Sequence, residues 1–294
     1  MPTASVLASR CIPILRLQER SANLVMYIKD TSAARDALPA PTNDSASARL
    51  MTCDLYILGA GISFPEHLTT QTVEILRACR HIYTTLTETT LDRLPEDIRV
   101  KCVSLRRLYK DHRPRVENYQ AEVQAVVDAT AIERPVAWLT PGHPRIFDSV
   151  SEALIEAGRV RGWNVCVAPA ISCLDTLLAE IGYDPAGGLL IHEATLLVAR
   201  DVPLVPSVAT LLLQPGHFGS SLAHITSPFA GLDLTRLRDH LRRFYRPEHR
   251  CAFVRSATHP GERYRISWIK LHNLTLASPD DVADSTLFLP ADRE

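Results

Sequence analysis

The chain has 294 residues, of which 46% are hydrophobic and 22% are charged, so it can bury a large core and is not intrinsically disordered. Its 32 basic and 33 acidic residues leave a formal net charge of −1. This balance excludes a generally basic surface, and no local basic stripe compensates for it. We therefore expect no nucleic-acid partner.

The seven cysteines are scattered and never spaced as Cys-x-x-Cys, which argues against a disulfide framework and against a structural zinc site. The histidines also lack ligand spacing, so no metal site is predicted. No uninterrupted apolar run is long enough to span a bilayer, and residues 1–20 lack the apolar core of a signal peptide. These features favour a cytoplasmic protein without membrane contact.

Residues 1–50 differ in composition from the rest of the chain. The stretch 31–49 is rich in Ala, Ser, Pro and Asp and poor in aliphatic residues, so we predict a flexible or extension segment over 1–50. The remainder is expected to form two α/β domains, over 51–168 and 169–294.

Apolar strands alternate with helices in the first of these domains. Such alternation predicts parallel β-α-β units, with ligand-binding loops at the carboxyl ends of the strands. The predicted strands are 55–58, 81–85, 135–139 and 165–167, and the predicted helices are 69–79, 119–129 and 148–158, the last capped by Gly158.

Strand patterns dominate the second domain, for which a mixed sheet is predicted. The predicted strands are 189–191, 203–205, 209–213, 250–254 and 264–269, with one helix over 235–244.

The pair Gly59 and Gly61 follows the first strand but does not complete a dinucleotide-binding fingerprint. The third glycine of G-x-G-x-x-G would fall at position 64, which is Phe64, and no acidic residue follows at the right distance. A glycine pair alone often serves only a tight turn.

Four ordered motifs give this pair a context. They are Leu58-Gly59-Ala60-Gly61, Thr140-Pro141-Gly142-His143-Pro144, Pro169-Ala170-Ile171-Ser172 and Ile181-Gly182-Tyr183-Asp184-Pro185. In order and spacing they resemble the tetrapyrrole (corrin/porphyrin) methylases, the class III S-adenosylmethionine-dependent methyltransferases. The resemblance implies a methyltransferase with a parallel-sheet N-terminal domain, a mixed-sheet C-terminal domain and a cofactor cleft between them. It also implies S-adenosyl-L-methionine as cofactor and a homodimer.

Within this family the chain looks most like the borosin peptide backbone α-N-methyltransferases. The loop Gly142-His143-Pro144-x-x-Phe147 and the pair Leu213-Gln214 carry the likeness, as does the segment 192–195. The spacing of Tyr109, Arg115 and Tyr119 matches their active site.

The chain departs from the borosin pattern at three positions. Pro141 replaces a tyrosine, Ala170 replaces a glycine, and Arg145 replaces a glycine and brings a cation near a cationic cofactor.

The resemblance assigns roles residue by residue. Tyr109, Arg115 and Tyr119 are implied to be catalytic, with Tyr119 as base or relay, Tyr109 orienting the acceptor, and Arg115 holding a phenolate or binding the peptide carbonyl. The implied cofactor-binding residues are Gly59, Gly61, Pro141, Gly142, His143, Ile146, Phe147, Ser172, Cys173, Ala194, Leu213 and Gln214. The alternatives are a surface cluster at 106–119 and ordinary core positions for Phe147, Ala194 and Leu213.

Three functions therefore stay open. The first is α-N-methylation of a ribosomal precursor peptide, which we expect to be a separate molecule because the sequence reaches only four residues past Pro290. The second is C-methylation of a tetrapyrrole, a small-molecule acceptor. The third is a silent protein that binds S-adenosylmethionine without turnover.

Overall fold

The computed structural model describes residues 53–259 and 261–292. The predicted extension over 1–50 lies outside the described residues. The described residues form two five-stranded sheets, one all-parallel and one mixed, which confirms the predicted fold class.

The first sheet has the strand order β3-β2-β4-β1-β5, and every neighbouring pair is parallel. Strands β1 and β4 are buried along their whole length, as expected for central parallel strands covered on both faces. The carboxyl ends of β4, β1 and β5 lie side by side, so the loops that follow them meet at one edge. The strands are β1 (Leu55–Gly59), β2 (His81–Thr84), β3 (Cys102–Ser104), β4 (Val136–Thr140) and β5 (Val165–Val167).

Five helices accompany this sheet: α1 (Thr70–Ala78), α2 (Glu88–Leu91), α3 (Glu96–Arg99), α4 (Arg115–Ile132) and α5 (Ser149–Arg161). The predicted cap at Gly158 is wrong. Helix α5 continues to Arg161 and ends at Gly162, which has the left-handed φ of 69°. Gly158 instead allows close packing, because a Cβ there would lie 2.2 Å from Val165 Cγ2.

The second sheet has the order β6-β7-β10-β8-β9, in which only β6 and β7 pair in parallel. The predicted strand 203–205 does not form, because Pro203 and Pro206 lack the backbone donor that a sheet ladder requires. The strands are β6 (Leu189–Glu193), β7 (Ala209–Leu213), β8 (Arg250–Arg255), β9 (Arg265–Lys270) and β10 (Thr286–Leu289). The helices are α6 (Cys173–Ile181), α7 (Ala194–Ala199), α8 (Thr235–Leu241) and α9 (Pro279–Val282).

The segment before α4 pairs with a loop of the second half of the chain. The His112 N–H donates to the Ala223 carbonyl at 2.9 Å, and the Arg115 N–H donates to the Ser221 carbonyl at 3.0 Å. The start of α4 is therefore anchored to both halves.

Cys53 and Cys166 form a disulfide, with their Cα atoms 6.0 Å apart. The cysteine spacing did not predict this bond. It joins the segment just before β1 to the neighbouring strand β5, across 113 residues of sequence. Among the described residues, no helix is both long enough and apolar enough to cross a bilayer.

Candidate active site

The glycines of the first two motifs bring two loops into contact. Gly142 donates its N–H to the Gly61 carbonyl at 2.9 Å, and Gly61 donates back to the Gly142 carbonyl at 3.2 Å. A Cβ on Gly59 would lie 2.2 Å from the Gly142 carbonyl oxygen. Both Gly61 and Gly142 have positive φ, which favours glycine. These glycines therefore shape the loop floor of the site.

The loop after β4 turns back on itself and presents an aromatic ring. His143 Nδ1 accepts the Arg145 N–H at 3.0 Å, and the Ile146 N–H donates to the His143 carbonyl at 3.0 Å. Phe147 has a positive φ of 55° and its side chain is 47% exposed. Phe147 and Pro141 line a cleft, so Phe147 is not an ordinary core residue.

The charge of Arg145 is compensated by an acidic residue. Arg145 Nη1 lies 2.7 Å from Glu152 Oε1, in the first turn of α5. This ion pair neutralises the cation that would otherwise oppose a sulfonium ligand. Apart from His143 and Arg145, the wall from Pro141 to Phe147 is apolar or small, and could therefore hold S-adenosylmethionine.

Ser172 and Cys173 begin helix α6. The Ser172 hydroxyl donates to Asp175 Oδ2 at 2.7 Å and accepts the Leu174 N–H at 3.2 Å, as part of a capping box. Because this hydroxyl is already used, Ser172 can serve a ligand mainly through its backbone. Cys173 packs against the apolar cluster that contains Leu213.

Ala194 and Leu213 are buried in two apolar clusters. They follow or end the neighbouring strands β6 and β7, whose register pairs Glu193 with Leu213. Gln214 is exposed and has a left-handed φ of 58°. The structure thus places Leu213 and Cys173 in one cluster, whereas Ala194 packs in the other.

Tyr109, Arg115 and Tyr119 come together as the sequence spacing predicts. Arg115 begins α4 and Tyr119 follows one turn later, with its ring 6.3 Å from that of Tyr109. Arg115 is only 8% exposed, so the group is not a solvated surface cluster. Its Nη2 donates to the Ser220 carbonyl at 2.5 Å, while its buried Nε has no hydrogen-bond partner.

Burial sets the protonation of both tyrosines. It raises the pKa of Tyr119 to about 12; the neighbouring Tyr109 raises this pKa further and Arg115 opposes the shift. Burial also raises the pKa of Tyr109, again against the opposing charge of Arg115. Both side chains are therefore neutral phenols at pH 7, and Arg115 does not hold a phenolate in the resting protein.

Asn118 is a buried residue that the sequence reasoning missed. Its Oδ1 accepts the Lys110 N–H at 3.1 Å, and its Nδ2 donates to the Lys110 carbonyl at 2.8 Å. This two-way bond fixes the backbone immediately after Tyr109. The signal was available in the helical spacing, because Arg115, Asn118, Tyr119 and Glu122 share one face of α4.

A cleft of about 430 Å³ is lined by Tyr109 and Tyr119 of the predicted catalytic group and by Pro141 and Phe147 of the loop after β4; Arg115 is not one of its lining residues. Two further residues of this cleft, Glu122 and Trp138, were not predicted as site residues. The Glu122 side chain is nearly inaccessible, and the Trp138 Nε1 is buried without a hydrogen-bond partner. The cleft is lined by Thr85, Arg106, Tyr109, Tyr119, Glu122, Trp138, Thr140, Pro141, Phe147, Asp148, Ser149, Val150, His224 and Ile225.

His224 lines this cleft, and its ligand atom and those of Asp111 and His112 are all within 4.8 Å of one another. Asp111 and His112 are exposed, and His224 shares a hydrogen bond of 2.8 Å with Ser220. The group could offer three ligand atoms to a metal ion.

A family model described as tetrapyrrole (corrin/porphyrin) methylases matches residues 54–270. Among curated relatives, the methyltransferase/ribosomally synthesized type III borosin cyclic peptide precursor of Anomoporia bombycina is 27% identical over 239 residues, which cover 80% of this chain and 28% of that protein. A type II counterpart from Phlebiopsis gigantea is 26% identical over 252 residues, covering 84% and 44%. The chain spans less than half the length of either relative.

Among solved structures, the uroporphyrin-III C-methyltransferase of Thermus thermophilus, in complex with S-adenosyl homocysteine, is similar with a TM-score of 0.54. The two share 18% identity, and the match covers 80% of this chain and 91% of that one. At this identity the likeness concerns the fold alone.

Proposed function

The chain belongs to the tetrapyrrole (corrin/porphyrin) methylases, a family of S-adenosylmethionine-dependent methyltransferases, and we propose that it methylates backbone amide nitrogens of a ribosomal precursor peptide. The borosin relatives are named as methyltransferases joined to a peptide precursor, which supports a peptide acceptor.

The observation that carries this proposal is a buried, unpartnered donor, Trp138 Nε1, in the wall of the cleft that Tyr109 and Tyr119 line. Arg115 Nε and Trp138 Nε1 are both buried without a hydrogen-bond partner. Buried polar atoms are nearly always paired, so an unpartnered donor in the cleft wall calls for a ligand that accepts a hydrogen bond. A peptide carbonyl oxygen is such an acceptor.

An amide nitrogen is a poor nucleophile because its lone pair is delocalised into the carbonyl group. When the N–H proton leaves, negative charge moves to the carbonyl oxygen, where Arg115 and Trp138 would stabilise it. Tyr119 would take the proton, and Tyr109 would orient the amide. S-adenosylmethionine supplies the methyl group, and the loop residues His143 to Phe147 would hold it.

The experiment is methyl transfer from S-adenosylmethionine with an isotope-labelled methyl group to acetylated and amidated synthetic peptides. The peptides should cover every short reading frame beside the gene. We expect a mass shift on one peptide. Tyr119→Phe should lower its turnover by about 10²–10⁴-fold, the usual worth of general acid–base assistance, while S-adenosylhomocysteine affinity changes little.

Tyr264→Phe is the matched control, because Tyr264 is 52% exposed and outside the cleft. It should behave as the unaltered chain. Uroporphyrinogen serves as the competing acceptor in the same assay. Labelling of uroporphyrinogen but of no peptide would favour the tetrapyrrole alternative, and cofactor binding without any transfer would favour the silent alternative.

A homodimer and a cytoplasmic location also belong to this proposal. Both come from the family resemblance and the composition of the chain. Light scattering at tens of micromolar would test the dimer, since a strictly monomeric species there would contradict it.

A further inference from the structure

Glu122 is a buried acidic residue, and one of its carboxylate oxygens accepts no hydrogen bond. It is 2% exposed, and its Oε1 has no hydrogen-bond partner. It lines the cleft together with Tyr119 and Trp138. An unpaired carboxylate in such a place is costly for the fold, so its presence requires a reason beyond packing.

The position of Glu122 on α4 ties it to the catalytic group. It follows Tyr119 by three residues and Arg115 by seven, so the three side chains share one face of the helix. The charge of Glu122 acts on Tyr119 and Tyr109, because it raises the pKa of both. Glu122 is therefore electrically coupled to the two tyrosines.

Few positive charges lie near the Glu122 carboxylate to stabilise its ionised form. Among the described residues, Glu122 takes part in no ion pair; Arg115 is the cation of its own helix. The charged and titratable groups that line the same cleft from other elements are Arg106, Tyr109, Asp148 and His224.

These surroundings bring the pKa of Glu122 close to neutral pH. Burial, followed by the charge of Asp148, raises the pKa of Glu122 to about 7, whereas the pKa of Tyr119 is about 12. At neutral pH Tyr119 cannot stay ionised, but Glu122 can exchange a proton in either direction. Because Tyr119 is a neutral phenol, it can accept a proton only if its own phenolic proton moves to another group.

We propose that Glu122 is the final proton acceptor of the site, and that it receives through Tyr119 the proton that leaves the acceptor nitrogen. This inference rests on the amide reaction proposed above. The amide proton moves to the Tyr119 oxygen as the phenolic proton moves to the Glu122 carboxylate. The nitrogen–carbon bond forms as the methyl–sulfur bond breaks, and its electron pair stays on sulfur. Glu122 acts through Tyr119 and does not touch the acceptor.

The test is the pH dependence of the single-turnover rate, from pH 5 to 9, with the peptide that is labelled in the screen. The rate of the unaltered chain should rise about tenfold per pH unit below pH 7 and should be constant above pH 7. For Glu122→Gln the rate should no longer rise with pH below 7, and its plateau value should be about 10²–10⁴-fold lower. Glu122→Asp should recover part of the rate. Glu117→Gln, an exposed change on the same helix, should keep both limb and plateau.

Each variant is first checked for S-adenosylhomocysteine binding and for its circular dichroism. A folded Glu122→Gln that keeps the normal rate and the acidic limb would overturn the inference. A second measurement needs no acceptor: the infrared carboxyl band that Glu122→Gln removes should titrate near pH 7 in the free protein. If that band is already lost at pH 5, Glu122 is ionised well below pH 7 and is not the proton acceptor that the inference requires. If it titrates near 7 while no peptide is labelled, the proposed amide reaction fails, the role of Glu122 as acceptor of the amide proton fails with it, and only the neutral-range titration of Glu122 stands.

Discussion

Replacing Glu122 by Gln should make the protein more stable at high pH, by an amount that the structure sets. The folded protein holds the pKa of Glu122 at about 7, against 4.5 for an ordinary glutamate, and burial is the main cause. The folded state therefore binds a proton between these values that the unfolded state has lost. Stability contributed by this proton is full below pH 4.5 and disappears as the pH rises through 7.

The size of the effect follows from the pKa shift. At about 1.4 kcal/mol for each pKa unit, the loss between pH 4.5 and 7 amounts to roughly 3 kcal/mol, and it stays constant above pH 7. Glutamine has nearly the same shape and no charge, so the variant should escape this loss. The difference in unfolding free energy, variant minus unaltered chain, should grow by roughly 3 kcal/mol over that interval.

Urea denaturation at pH 5, 6, 7 and 8 measures this difference. Glu117→Gln is the matched control, because Glu117 is exposed and, within residues 53–259 and 261–292, its charge pairs only with Arg113, at 3.6 Å. The control should show a small difference with little dependence on pH. A Glu122→Gln difference that is flat from pH 5 to 8 would refute the reasoning, since it would mean that burial does not shift the titration of Glu122.

Three further changes test other parts of the site. Gly59→Ala should weaken S-adenosylhomocysteine binding by roughly tenfold or more in calorimetry, because its Cβ would meet the Gly142 carbonyl oxygen at 2.2 Å. Asn118→Leu removes both hydrogen bonds to the backbone of the exposed residue Lys110, each worth about 0.5–1.5 kcal/mol, so turnover should fall more than cofactor affinity in the peptide assay. Arg145→Gln should change cofactor affinity by less than about threefold, because its exposed ion pair with Glu152 contributes little.

The order of strands and helices was largely readable because burial leaves a pattern in the sequence. The uninterrupted apolar run 55–58 predicts a central parallel strand, and β1 is one. The sequence-based prediction was wrong where two residues could each end the same helix. Gly158 and Gly162 both suit a helix end, and only the packing of Gly158 against Val165 decides between them.

The candidate site was readable only in part, for a physical reason. The tyrosine and arginine spacing lies within a single loop and helix, so the sequence can indicate it. The burial of Glu122, the unpartnered Nε1 of Trp138 and the disulfide between Cys53 and Cys166 depend on elements that are distant in sequence. Such environments exist only after the chain has folded.

The most direct test of the central proposal is the position of the transferred methyl group. A peptide labelled by the chain from S-adenosylmethionine with an isotope-labelled methyl should be sequenced by tandem mass spectrometry. We predict that the fragment ions place the label on a backbone nitrogen, and that Tyr119→Phe reduces this signal while Tyr264→Phe does not. A label found on a side chain or on carbon, at a rate that Tyr119→Phe leaves unchanged, would contradict amide methylation.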